Sequence, residues 1–219
     1  MFAKLTIKHE IRFLFRNFVL EKKLRCTNLC AFLNFICKML TLLKYIIQLI
    51  LSPKNGWDDI ADKNPDPEIL LTKGVYPLLG IASATVFLGL AYHQATLPQV
   101  LIGAVNVFGS YFVGIFIARL LFDLYLRQIA GQDVDKRQST TLILCGFGMM
   151  LLFQIIENCL PWNLLIVKFL PIYAILVLSK GCEYLGISKR KELRFTGFAG
   201  IAIVAVPLLI YYIFYLLIQ

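Results

Sequence analysis

The sequence predicts an all-α membrane protein, in which a cytoplasmic interfacial amphipathic helix precedes five transmembrane helices. Two observations carry this prediction. Five long apolar runs occupy residues 75–96, 100–121, 140–160, 164–178 and 195–217. All but two of the 22 Lys and Arg residues lie before the first run, between the second and third, or between the fourth and fifth. This alternation is typical of the positive-inside rule, and it predicts a cytoplasmic N-terminus and an external C-terminus.

The lengths of the runs agree with this number of spans. A bilayer core requires about 20 apolar residues per helix, and four of the runs meet that length. The fourth meets it when it extends to residue 185, with Lys168 and Lys180 reaching towards opposite interfaces. The short connections at residues 97–99 and 161–163 predict antiparallel hairpins.

Composition excludes a soluble domain and argues against a nucleic-acid partner. Apolar residues make up 59% of the chain and the mean hydropathy is +0.75, whereas soluble domains average roughly 45–50% apolar residues. The net charge is +9, but the basic residues lie on one predicted membrane side, beside apolar helices. Attraction to the anionic lipids of the inner leaflet explains this distribution. The lipid bilayer is therefore an expected partner, and nucleic acid is not.

The segment before the first span has one polar stripe on an apolar helix. Polar residues recur every three or four positions between residues 34 and 52. A sixth span is one interpretation, but it would place Lys38 and Lys44 at membrane depth, at roughly 2.5–3.5 kcal/mol each, and would invert the charge alternation. We expect an interfacial helix on the cytoplasmic leaflet.

Three regions follow from this pattern. Residues 1–38 form a basic N-terminal extension, and because Met39 opens a natural amphipathic helix it is an alternative start of the protein. Residues 39–74 contain the amphipathic helix and an acidic cytoplasmic segment, and residues 75–219 form the five-helix transmembrane domain. Asp66, Pro67 and Glu68 predict the start of a helix that continues into the first span.

Four ionisable residues near the ends of the spans are candidates for function, because such residues are rare within membranes. Arg119 and Asp123 are four residues apart on one helix face, where they can pair. Glu157 and Lys168 flank a short hairpin and can also form an ion pair. For both pairs we weigh a structural role against contact with a substrate, a proton or a partner.

Small residues occur at the spacing that lets helices approach closely in a membrane. They predict a compact bundle and allow a homo-oligomer; the candidates are Gly80, Ala84, Ser110, Gly114, Ala118, Gly197 and Gly200. Motifs of hydrolases, nucleotide-binding loops and metalloproteases are absent from the sequence. We therefore expect no enzymatic activity, no catalytic or metal-binding residues and no cofactor.

The segment from Ile50 to Leu71 resembles the bacterial branch of the YIP family, the Ypt/Rab-interacting-protein-like membrane proteins. The resemblance lies in Pro53, Trp57 and Ile60, in the acidic helix entry at Glu68, and in the five runs that follow. It covers about residues 39–219 and implies an integral membrane protein of the bacterial inner membrane. The Asp-Leu-Tyr-Gly-Pro run and the Gly-Tyr pair that we associate with GTPase-binding members are absent.

Two functions remain open from the sequence. The first is a non-enzymatic scaffold or adaptor that acts through oligomerisation or through a cytoplasmic protein partner, at the acidic segment or the basic loop 188–194. The alternative is a small transporter or permease subunit that uses Arg119, Asp123 and Glu157 along a path between helices.

Overall fold

The computed structural model describes residues 36–92, 95–127, 135–160 and 165–218. The chain divides into two compact units, Met1–Lys38 and Met39–Gln219, and the description below concerns the second. The described residues of this unit are helices and their connections, and no strand occurs among them. The prediction of an all-α protein is therefore confirmed.

Seven helices account for the described residues. They are α1 (36–51), α2 (Pro53–Lys63), α3 (Pro67–Tyr92), α4 (Leu97–Tyr125), α5 (Lys136–Cys159), α6 (Leu170–Tyr184, preceded by a 3-10 turn at Leu165–Phe169) and α7 (Lys189–Leu217).

Four of these helices, α3, α4, α5 and α7, are long and apolar enough to cross a membrane. They correspond to the first, second, third and fifth apolar runs of the sequence. The fourth run corresponds to α6, which is not among these four.

The start of α3 is the one that its sequence predicts. The Asp66 carboxylate accepts a hydrogen bond from the backbone N–H of Glu68 at 3.1 Å, and Pro67 occupies the first helical position, where no N–H donor is needed. A π-helical turn at Leu71–Val75 precedes Pro77, and another at Ile201–Ala205 precedes Pro207. A wider turn gives room to a proline ring, which would otherwise clash with the preceding turn of a helix.

Helix α5 lies at the centre of the bundle. Every residue from position 141 to position 151 is buried. Two glycines on this stretch let neighbouring helices come close: a Cβ atom at Gly146 would lie 2.9 Å from Ile203 of α7, and one at Gly148 would lie 2.6 Å from Ile46 of α1. Glycine at these positions is therefore a packing requirement.

Helix α1 packs into this core. Leu42, Ile46 and Leu49 are at most 1% exposed, whereas Lys44 is exposed on the opposite face. Gly148, which Ile46 contacts, lies near the middle of α5. The apolar face of α1 is therefore covered by another helix of the chain, and its interfacial location stays a prediction.

Helices α4 and α7 are antiparallel and meet over most of their length. Phe214 lies against Gly109, Pro207 against Gly114, and the rings of Tyr125 and Phe198 stack with centroids 4.2 Å apart. These contacts bring the beginning of α7 to the end of α4. We call this end of the bundle, which carries Arg119, Arg127, Arg137, Lys180 and Lys189, the basic end.

The close approach of α1 to α5 predicts that Gly148→Leu destabilises the protein. A larger side chain must displace Ile46, and overpacking of this kind costs typically about 1–3 kcal/mol. The measurement is reversible unfolding of the purified protein in mixed micelles.

The matched control is Gly197→Leu. Gly197 is exposed, and a Cβ atom there would meet nothing within 4 Å. Equal losses of stability in the two variants would contradict the packing of α1 against α5.

Candidate functional site

A polar cavity of about 480 Å³ lies between α3, α4, α5 and α7, in the half of the bundle away from the basic end. Half of the described lining residues are polar, although the helices that carry them are otherwise apolar. The polar residues include Gln99, Ser110, Tyr111, Gln154, Glu157 and Tyr211. A polar cavity among apolar helices is a candidate binding site, because polar groups within a bilayer are unfavourable unless they serve a structural or functional role.

Helix α4 forms one wall of the cavity. Gln99, Gly103, Val107 and Ser110 recur every three or four residues and so share a helix face. Gln99 is fixed by a capping box, in which its side-chain oxygen accepts a hydrogen bond from the Thr96 N–H at 3.0 Å. From Gln99 to Ser110 the wall extends about 16 Å along the helix axis, so the cavity reaches deep into the bundle.

The cavity ends on a packed floor. The ring of Tyr111 meets Phe147 edge-to-face with centroids 6.5 Å apart. One turn further on, a Cβ atom at Gly114 would lie 3.1 Å from Pro207 and 3.3 Å from Phe147. Below this level Ile115, Ala118 and Phe122 are buried. The cavity is therefore closed towards the basic end.

A chain of hydrogen bonds joins α5 to α3 beside the cavity. The Gln154 amide donates to Asn158 Oδ1 at 3.2 Å, and the Asn158 amide donates to Thr85 Oγ1 at 3.0 Å and to the Ala82 carbonyl at 3.4 Å. The Thr85 hydroxyl in turn donates to the Ala82 carbonyl at 2.7 Å. This network holds the end of α5 against α3, and its donors include the side-chain amides of Gln154 and Asn158.

Two acceptors in this half of the bundle are free of such bonds. The carboxylate of Glu157, an exposed residue of the cavity lining, forms no ion pair or hydrogen bond with the residues that the structure describes. Asn106 lies outside the lining and is 2% exposed; its amide donates to the Tyr211 carbonyl at 3.3 Å, but its Oδ1 atom has no hydrogen-bond partner in the described part of the chain. The described lining residues include no Lys or Arg, so Glu157 gives the site a negative charge.

The other ionisable candidates lie elsewhere. Arg119 contacts Glu68 at 3.8 Å, and Asp123 pairs with Arg127 at 2.8 Å, so the predicted pair of Arg119 with Asp123 does not form. The Asp123 carboxylate binds the Arg127 guanidinium instead, and Arg119 lies next to Glu68. Lys168 is exposed in the turn before α6, and the described residues show no ion pair between it and Glu157. Of these four residues, only Glu157 lines the cavity.

The small residues divide into two groups. Ser110, Gly114, Ala118 and Gly200 are buried and serve packing within the chain. For example, a Cβ atom at Gly200 would lie 3.2 Å from Ile175. In contrast Gly80, Ala84 and Gly197 are exposed, and Cβ atoms at the two glycines would meet nothing within 4 Å.

The segment that resembles the YIP family, residues 50–71, is attached to the rest of the bundle at the basic end. Pro53 occupies the first position of α2, and Trp57 and Ile60 are buried. The Trp57 indole N–H donates to the Val177 carbonyl of α6 at 3.0 Å, and its ring stacks on Tyr184 with centroids 5.3 Å apart. Trp57 therefore anchors α2 to α6.

Sequence reasoning did not find most of the polar lining. Gln99, Tyr111, Asn158 and Tyr211 each look unremarkable on their own helix, because the cavity forms only when four helices converge. One signal was present: Gln154, Glu157 and Asn158 share a face at the end of an otherwise apolar helix.

Together these features define a helical protein with four helices able to cross a membrane and a polar cavity among them. No family profile, curated protein or solved structure matches the chain.

The hydrogen bonds of Asn158 predict that Asn158→Leu destabilises the bundle. The substitution removes both contacts to α3, and polar contacts between membrane helices contribute on average about 0.6 kcal/mol, with a maximum near 1.7. The measurement is unfolding in mixed micelles, with Ser179→Ala as the control, since the Ser179 hydroxyl bonds within its own helix to Leu176. A loss no greater than that of the control would contradict the bridging role.

Proposed function

We propose that the protein is a multi-pass integral membrane protein that binds a small ligand in the polar cavity, as a small transporter or permease subunit does. The observation that carries the proposal is a cavity of about 480 Å³ that reaches from one end of the bundle to a packed floor near its middle. This shape is that of a binding site open to one side only. The volume falls in the range of roughly 300–1,000 Å³ that is typical of small-molecule sites.

The proposed arrangement in the membrane has five spans, with α6 as the fourth. The charge distribution supports a cytoplasmic basic end and an external C-terminus in a bacterial inner membrane. The cavity then opens to the outside. Helix α1 packs its buried face against the middle of α5 and is not counted among the five spans.

Membership of the YIP-like class is part of the same proposal. The segment that carries the resemblance has a clear physical role, since Trp57 and Ile60 attach α2 to the bundle. The proposal therefore assigns Pro53, Trp57 and Ile60 to structure, and the cavity to function.

A direct test is the accessibility of the cavity from water. We expect Val107→Cys to react with a membrane-impermeant thiosulfonate added outside cells, because Val107 lines the cavity. The control is Val105→Cys on the same helix: Val105 is 62% exposed on the outer surface of the bundle, where lipid would suppress thiolate formation. Mass spectrometry of the modified peptide reads each site separately from the native cysteines.

Equal labelling of the two positions, or none at Val107→Cys, would overturn the proposal. Labelling of Val107→Cys from the cytoplasmic side alone would reverse the orientation of the cavity.

The second candidate, a scaffold that acts through self-association, is supported by the exposed face of α3. Gly80 and Ala84 have the spacing of a helix contact, and a Cβ atom at Gly80 would meet nothing within 4 Å. Such a surface can accept a helix of another copy or of a partner.

This candidate predicts that Gly80→Leu lowers the yield of crosslinked dimers in native membranes without lowering stability. The control is Leu90→Ala, an exposed residue further along α3 that should leave crosslinking unchanged. Unaltered crosslinking in Gly80→Leu would remove this face from consideration.

A further inference from the structure

We propose that the cavity selects a small organic cation: an ammonium group attached to a compact apolar body. This inference rests on the proposed function, since it presupposes that the cavity binds a ligand, and it adds the ligand's charge and chemical class.

The charge of the lining is the first argument. Among the described residues of the lining, Glu157 is the carboxylate and no Lys or Arg occurs, and the described residues offer Glu157 no ion pair. The protein as a whole carries a net charge of +9, and Arg119, Arg127, Arg137, Lys180 and Lys189 lie at the basic end, away from the cavity. Because Glu157 is exposed, its carboxylate is available to a cation that enters the cavity, and opposite charges attract at short range.

The hydrogen-bonding groups are compatible with this charge. The Asn158 amide donates to Thr85 and to the Ala82 carbonyl, and the Gln154 amide donates to Asn158. The Gln154 carbonyl and the Glu157 carboxylate remain as acceptors in the lining of the cavity.

The remaining lining suits an organic body. Val107, Pro207 and Leu208 provide apolar surface, and the rings of Tyr111 and Tyr211 provide aromatic surface, which attracts cations. A bare metal ion would need several converging ligands, and no cluster of three or more His, Cys, Asp or Glu side chains occurs among the described residues. The cavity is also far larger than a single ion requires.

Calorimetric titration of the full-length protein in phosphatidylglycerol nanodiscs tests the charge preference. The probes are choline and dimethylbutanol, its uncharged isostere, in which carbon replaces the charged nitrogen. We expect choline to bind roughly tenfold more tightly or better, because its quaternary ammonium is attracted by the carboxylate and by the aromatic rings and needs no N–H donor. Glu157→Gln should abolish this preference, whereas Glu183→Gln, an exposed carboxylate on α6, should preserve it.

Three results would overturn the proposal: equal affinities for the two probes, a preference for choline that survives in Glu157→Gln, or tighter binding of the anionic analogue dimethylbutanoate. Absence of binding by every probe would also overturn it. In each case labelling of Val107→Cys still decides the proposed function separately, because that experiment measures water access and uses no ligand.

A second set of nanodiscs distinguishes the source of the ammonium group. If the natural ligand is a lipid headgroup, phosphatidylcholine in the bilayer should compete and weaken the apparent affinity for choline. If it is a free cation, the affinity should be the same in both bilayers when both titrations are made in high salt, which screens the surface charge of phosphatidylglycerol.

Discussion

The close packing of three helices around α5 is the constraint on which the rest of the structure depends. Of the four helices that are able to cross a membrane, α5 is the most deeply packed. In its most apolar stretch 72% of the residues are buried, compared with 33–44% in the other three helices. Gly146 and Gly148 make this possible, since a side chain at either position would collide with Ile203 of α7 or Ile46 of α1. Helix α6 completes the ring from its own side, where Gly181 faces Leu142. Without a hydrophobic drive between helices in lipid, such close contact is the main source of association.

The cavity follows from where this packing stops. As far as Leu151, α5 is surrounded by neighbouring helices, but beyond it the residues Gln154, Glu157 and Asn158 replace apolar ones. On the facing helices the small residues Gly89 and Gly103 line the cavity, and a Cβ atom at Gly103 would lie 3.2 Å from Val86. The same helix that holds the bundle together therefore also supplies the polar wall of the site.

Sequence patterns predicted the four long apolar helices, the start of α3 at Asp66 and the central part of α4. They could do so because length, hydropathy and capping are local properties. They did not predict that α1 packs against α5. A stripe that includes Lys44 shows which face is polar, but not whether lipid, water or another helix covers the apolar face with Ile46. The partner of Arg119 was unpredictable for a similar reason: Glu68 and Asp123 are both within reach in principle, and only the crossing of α3 and α4 decides between them.

The two ends of the bundle use their polar groups differently, and this difference supports the proposed ligand site. At the basic end Glu68 and Asp123 are paired with guanidinium groups in exposed positions, where such pairs contribute little to stability and are screened by salt. In the other half the amides of Gln154 and Asn158 bond within the protein, whereas the exposed carboxylate of Glu157 has no ion pair with the described residues. A positively charged ligand would supply that partner, and this argument favours a binding role for the cavity over one for the ion pairs of the basic end.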